Sequence, residues 1–291
     1  MTTYHIDDSD FASLWGKTIL LTGCATGIGR QTAYLAHKNG ANLILGDWLE
    51  KEGQQLAEEL KERVIFRRTD VSSWDDLVDL FAAGWAMFQS LDAVLANAAI
   101  NEVGVYLEDT LDPATGRLQA PNLQTLSVNL LGQLYTTKLA MHYFGKQSGK
   151  HFQLVLTGSA ACFLDTPPLH VYGVSKAGVM GLMRSLRTQT PQNNHVTVNM
   201  VAPWLTKTPM LKPEFLRVWG DLPANEPIGV AKALLLPIVR PEINGKSFFI
   251  AGHEIIDFEE GLEKTQPLWM GEKLSKDVEE GQRRIVPRAH I

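Results

Sequence analysis

Cysteine is scarce: Cys24 and Cys162 are the only two in 291 residues. They cannot build a disulfide framework and have no zinc-ligand spacing, so a reducing, cytoplasmic setting and no metal site are expected. Long hydrophobic runs are missing as well. The best, Ala231–Val239, is interrupted by Lys232 and Pro237 and is far too short to span a bilayer. Met1–Asp10 has no basic segment leading into an apolar run, so neither a secretory signal nor a transit peptide is expected. There are no blocks of like charge, and a net charge of −5 disfavours nucleic acid or an anionic membrane as partner. Repeats and low-complexity tracts are absent too, which excludes solenoids and fibrous classes.

What is present is a chain 45% hydrophobic and 20% charged, an ordinary globular composition able to bury a large core. Short apolar, β-branched runs occur at Thr18–Thr22, Asn42–Gly46, Val64–Arg68, Ala93–Ala96, Phe152–Thr157, Val196–Val201 and Ser247–Ile250. Helical periodicity fills the gaps, near Ile28–Lys38, Glu50–Lys61, Trp74–Gln89, Leu123–Phe144 and Val171–Thr188. Unalternating strands separated by helices predict an α/β, doubly wound Rossmann-type sheet of seven parallel strands covered on both faces. No domain boundary is visible, so residues 1–291 read as one domain with its core at about 15–255. Pro203–Pro227 carries five prolines and reads as an irregular lid. Glu259–Ile291 is charged and weakly patterned, a surface tail or an oligomer arm.

The first strand runs into Gly23-Cys-Ala-Thr26-Gly27-Ile28-Gly29, and a helical pattern follows. Glycines there let the backbone approach a pyrophosphate at a helix N-terminus, where free N–H groups and the macrodipole favour an anion. Asp47 ends the second strand, 18 residues past Gly29. An acid at that place accepts hydrogen bonds from the adenosine ribose and repels a 2′-phosphate, or else it caps the next helix. With no Arg or Lys between Gly23 and Gly27, the cofactor expected is NAD.

Tyr172 and Lys176 stand four residues apart at the start of a helical segment, on one face. A cation beside a phenol lowers its pKa and suits the pair to exchange a proton with a substrate oxygen. A surface tyrosine and a solvated lysine would show the same spacing. Ser159 ends the fifth strand, where a hydroxyl faces the crevice at the carboxyl ends of a parallel sheet.

Thr22-Gly23-x3-Gly27-Ile28-Gly29, Asp70-Val71, Asn97-Ala98-Ala99, Asn129, Ser159, Tyr172-x3-Lys176, and Pro203 with Thr208 together resemble the short-chain dehydrogenase/reductase family over residues 15–255. The resemblance implies Tyr172 as general acid/base, Ser159 polarising the carbonyl, and Lys176 binding the nicotinamide ribose and lowering the tyrosine pKa. It implies Asn129 distorting its helix and holding a water that links Lys176 to solvent. It places Asp70 and Val71 by the adenine and Asn97 as a support of the central strand. Pro203, Thr206 and Thr208 then meet the nicotinamide, and a homodimer or homotetramer is implied. Three places depart from the pattern: Ala99, Trp204 and His253 stand where glycine is usual. Asp47-Trp48 and Asn244-Gly245-Lys246-Ser247 add a looser likeness to 15-hydroxyprostaglandin dehydrogenase-like and fungal secondary-metabolite dehydrogenases.

The substrate walls are expected from Ala160, Asp165 and His170, from Glu102–Tyr106, and from Trp204, Met210 and the apolar lid. Such a lid suits a bulky hydrophobic small molecule, or it packs against the body or a second subunit. The reading is therefore an NAD-dependent enzyme interconverting a secondary alcohol and a ketone. The alternatives are a redox-neutral or reductive tailoring enzyme and a non-catalytic dinucleotide sensor.

Overall fold

The strands of the sheet are apolar on both sides because both sides are covered. In the computed structural model, which describes residues 2–191 and 195–285, Ile19 and Leu21 of β2 (Thr18–Thr22) face one core and Leu20 faces the other. The first core is closed by α1 (Gly27–Lys38), α2 (Glu50–Leu60) and α8 (Pro227–Val239). The second is closed by α3 (Trp74–Phe88), α5 (Gly132–Phe144) and α6 (His170–Leu186). Burying each leucine or isoleucine fully contributes about 2 kcal/mol, so neither face tolerates a register slip.

Seven strands run parallel, namely β2, β3 (Asn42–Asp47), β4 (Val64–Arg68), β5 (Ala93–Ala96), β6 (Phe152–Thr157), β7 (Val196–Pro203) and β8 (Ser247–Ala251). These are the seven expected strands, and two short antiparallel ones bring the sheet to nine among the described residues. The order is β1-β9-β8-β7-β6-β5-β2-β3-β4, with β1 (Thr3–Tyr4) and β9 (Glu254–Asp257) antiparallel at one edge. Two- and four-residue strands with mixed polarity carry no usable periodicity, which hid them in the sequence. The order reverses between β2 and β5, and the crevice outside those carboxyl ends is where this architecture takes its ligand.

The charged C-terminal segment, expected as a surface tail or an oligomer arm, is helical: it forms α9 (Phe258–Met270) and α10 (Glu272–Ile285), and residues 286–291 of the expected tail lie outside the described residues. Glu259 of α9 is buried, and its carboxylate accepts from Arg184 Nη2 at 2.9 Å, Arg187 Nη1 at 2.8 Å and Ser247 Oγ at 2.9 Å. One carboxylate thus fastens the extension to α6 and to the edge of the sheet. The lid contains α7 (Pro213–Trp219), and a parallel bridge joins Thr206 to Asn225 at its base. No described helix is long and apolar enough to cross a membrane.

Candidate active site

The glycine loop leaves β2 with Gly23 at φ +71°, and a Cβ there would lie 2.7 Å from the Cα of Ala98. A Cβ on Gly29 would lie 1.9 Å from the carbonyl oxygen of Gly23. The loop is therefore packed against its own surroundings, which explains both glycines without a ligand. Thr26 N-caps α1 with extended backbone but makes no side-chain capping bond, so its hydroxyl leaves the first N–H groups of α1 open to another acceptor. That geometry fits a pyrophosphate.

Asn97 ties the loop to β5. Its Nδ2 donates to the carbonyls of Thr22 and Gly23, both at 3.1 Å, while its N–H donates to Thr22 Oγ1 at 3.1 Å. Asp47 serves the loop as well: one carboxylate oxygen accepts Ala25 N–H at 2.8 Å and the other Leu49 N–H at 2.9 Å. Burial pushes its pKa up, against those backbone hydrogen bonds. Beside it the exposed ring of Trp48 carries the Arg68 guanidinium, 4.0 Å from the ring centre. Asp70 closes its own turn, accepting Ser72 N–H at 2.9 Å and Ser72 Oγ–H at 2.6 Å. Val71 is buried, and a Cβ on Gly132 would meet its Cγ2 at 2.8 Å. Ile28 packs on the first core.

Across the crevice, Ser159 follows the end of β6, and α6 begins at His170. The Ser159 side chain acts on the Tyr172 phenol in the direction that favours the phenolate. Lys176, one turn later, is fully buried, with Nζ donating to the Thr157 carbonyl at 2.9 Å and lying 5.6 Å from the Tyr172 ring centre. Burial lowers the Lys176 pKa to about 8. Burial pushes the Tyr172 phenol up, and the Ser159 side chain pulls against that. Desolvation is the largest influence on the phenol in this structure.

Asn129 lies in a π-helical turn, Ser127–Leu131, between α4 (Gln124–Leu126) and α5. The distortion is where the resemblance placed it. The side chain, however, is spent on Ile100: Oδ1 accepts Ile100 N–H at 2.8 Å and Nδ2 donates to Ile100 O at 2.9 Å. A further contact reaches Ser175 Oγ at 3.3 Å.

The segment after β7 returns to the glycine loop. A Cβ on Gly27 would meet Thr208 Cγ2 at 3.1 Å, so Thr208 sits against the start of α1. Pro203 ends β7, and Thr206 Oγ1 donates to the Trp204 carbonyl at 3.0 Å. Trp204 packs edge-on against Trp219 of α7, ring centres 4.6 Å apart. Met210 is largely exposed and Ala160 is buried. His170 opens α6 with the Tyr106 ring 6.0 Å away, and Asp165 is exposed.

Two residues escaped the sequence reading. Asn225 is fully buried and joins the two sides of the lid base, with Nδ2 donating to Ile250 O at 2.9 Å and Oδ1 accepting His253 N–H at 3.1 Å. Glu102, expected as part of a substrate wall, also sends its carboxylate to the first turn of α6. Neither lies in a local pattern that a sequence displays.

A family model described as short chain dehydrogenase matches residues 17–218. The chain belongs to the short-chain dehydrogenase family. Members are dehydrogenases of secondary alcohols and ketones that use NAD or NADP. The short-chain dehydrogenase/reductase prx4 of Penicillium roqueforti is 31% identical, over 93% of this chain and 85% of its own. The 5'-hydroxyaverantin dehydrogenase of Dothistroma septosporum is 30% identical, over 91% of this chain and 93% of its own. Among solved structures, a short-chain type dehydrogenase/reductase from Mycobacterium marinum aligns with TM-score 0.73 at 22% identity, covering 84% of this chain and 98% of that one. A 3-ketoacyl-(acyl-carrier-protein) reductase from Brucella melitensis, complexed with NADH, aligns with TM-score 0.70 at 20% identity over 82% and 98%. This short-chain dehydrogenase thus shares its fold with both.

Proposed function

We propose that this short-chain dehydrogenase oxidises a secondary alcohol on a bulky, hydrophobic skeleton with NAD, and that Tyr172 exchanges the proton. The observation that carries the reading is the placement of Ser159 just after β6 and of Tyr172 in the first turn of α6, with the buried Lys176 one turn later donating to the Thr157 carbonyl at 2.9 Å. Bound in the crevice, the dinucleotide would be held by Gly23, Thr26, Gly27, Ile28 and Gly29 around its phosphates. Asp47, Asp70, Val71 and Asn97 would flank its adenosine half, and Pro203, Thr206 and Thr208 its nicotinamide. When bound, it supplies the hydride acceptor.

The chain's own groups do the rest. Ser159 orients the substrate oxygen, and Tyr172 takes its proton as the carbonyl forms. Lys176, charged on one side of its pKa of about 8 and neutral on the other, favours the phenolate when protonated. Asp47 supports NAD because a carboxylate at the end of β3 repels a second phosphate on the ribose. The NADH complex of the Brucella reductase is consistent with that choice.

A hydrophobic substrate is favoured by the exposed side chains of Tyr106, Leu164, Met210, Phe215 and Leu222 on the segments after β5, β6 and β7. The Dothistroma relative, named a 5'-hydroxyaverantin dehydrogenase, supports placing the substrate in secondary metabolism. We read the protein as a cytoplasmic homo-oligomer. The test is oxidation of phenylethanol, tetralol, a hydroxysteroid and 5'-hydroxyaverantin with NAD, followed by NADH absorbance. Tyr172→Phe should lower kcat at least about 100-fold. Activity surviving within a few fold removes Tyr172 from the proton transfer.

A further inference from the structure

The helix that carries Tyr172 and Lys176 starts without a cap of its own. Its N-cap residue is Leu169, which has no side-chain acceptor, so its first N–H groups need a partner from elsewhere. Glu102 supplies it from 70 positions away: one carboxylate oxygen accepts Val171 N–H at 3.0 Å and the other accepts the N–H of Tyr172 itself at 2.6 Å. A carboxylate at this end of a helix also meets the positive macrodipole.

Glu102 is itself held. Just before it, Ile100 is bonded at both N–H and carbonyl by Asn129, and just after it Val103 N–H donates to Thr125 Oγ1 at 3.1 Å. Thr125 is fully buried and its hydroxyl donates to Asn101 O at 3.1 Å. The segment Asn97–Val103 is therefore a strut, fixed to the glycine loop at one end and to the backbone of Tyr172 at the other.

We propose that Glu102 is a positioning residue for the reaction, setting the place of the Tyr172 phenol relative to Ser159 and Lys176 by holding the first turn of α6. The inference rests on the reading of Tyr172 as the proton-exchanging group. Glu102 does not touch the reacting atoms and acts through the tyrosine backbone. Misplacing a reacting group by a fraction of an ångström to an ångström costs one to two orders of magnitude in rate, with little effect on cofactor binding far from the defect.

The experiment compares Glu102→Ala and Glu102→Gln, each with and without Tyr172→Phe, using NAD and whichever alcohol of the four named above the native chain oxidises fastest. NADH affinity is read by fluorescence and folding by circular dichroism. Glu102→Ala should lower kcat about tenfold or more while NADH affinity stays within about twofold. Glu102→Gln keeps one carbonyl acceptor and should restore kcat to within about threefold. In the Tyr172→Phe background, Glu102→Ala should change the residual rate by less than about twofold, because there is no phenol left to place. An unchanged kcat in Glu102→Ala, or an equal loss in both backgrounds, overturns the proposal. If Glu102→Ala does not fold, Glu102→Gln decides, since a drop in its NADH affinity matching its drop in kcat also overturns it. Full activity of Tyr172→Phe alone, or no oxidation of any probe by the native chain, brings down the proton-transfer reading first and this one with it.

Discussion

Lys176→Met should make the cofactor-free protein more stable while abolishing its activity. The ammonium of Lys176 is 1% exposed and donates to the Thr157 carbonyl at 2.9 Å, with no carboxylate bridged to it. Burial drops its pKa from 10.5 to about 8. The difference, 10.5 − 8 = 2.5 units, corresponds at about 1.4 kcal/mol per unit to about 3 kcal/mol of destabilisation by the charged form. The sign follows from proton counting. Between about 8 and 10.5 the folded chain binds fewer protons at this site than the unfolded chain, so stability rises with pH across that window. Below about 8 the penalty is present in full. Methionine has similar bulk and no charge, and the Thr157 carbonyl it would leave behind still accepts from Gln133 Nε2 at 2.9 Å. Urea unfolding should therefore place Lys176→Met about 3 kcal/mol above the native chain at pH 7, shrinking to about 1 kcal/mol at pH 10. In a thermal scan at pH 7 the midpoint should rise by about 5 °C. A variant less stable than the native chain at pH 7, or a gap independent of pH, would refute the reasoning that this lysine is held at the expense of stability for its chemistry.

The remaining predictions follow from groups with known partners. Gly23→Ala meets both a φ of +71° and the Ala98 backbone at 2.7 Å, so it should cost about 3 kcal/mol in urea unfolding and abolish NADH binding by fluorescence. Asp47→Ala should narrow the preference of kcat/KM for NAD over NADP about tenfold and cost about 2 kcal/mol of stability, because two backbone N–H groups lose their acceptor. An unchanged cofactor ratio contradicts its ribose role. Glu259→Gln leaves Arg184 and Arg187 without their shared carboxylate and should cost about 2 kcal/mol, the arginines being one-third exposed. Burial raises the Glu259 pKa, but hydrogen bonds from Arg184 and Ser247 outweigh it and hold the net value low. Its contribution is thus present above the ordinary carboxylate range and lost as pH falls through it, which limited proteolysis of α9 and α10 against pH should track.

Much of the architecture was readable in the chain because its signals are local. Ala93–Ala96 and Phe152–Thr157 are strands over the expected spans, since runs buried on both faces declare themselves by composition, and Val64–Arg68, half-exposed at the sheet edge, keeps enough β-branched and aromatic character to do the same. The glycine loop, Ser159, Tyr172 and Lys176 were legible for the same reason: the spacing within one turn or one loop is a local fact. Long-range pairing was not. β1 pairs with β9 across about 250 residues, and nothing in two residues of strand announces a partner that distant. The extension after residue 258 looked featureless because its anchor is a single buried carboxylate whose arginines lie more than 70 positions earlier.

By itself, then, the sequence determined the doubly wound sheet and, with it, the crevice at its carboxyl ends. Those follow from hydrophobic period and glycine at steric pinch points, both of which act over a few residues. Only the tertiary structure decided that burial sets the Lys176 pKa, that Asn129 spends its side chain on Ile100, that Trp204 stacks edge-on with Trp219, and that Glu102 caps the helix of Tyr172. Desolvation and hydrogen bonding depend on which distant segments close over a group, and that is a property of the packed chain rather than of any window along it.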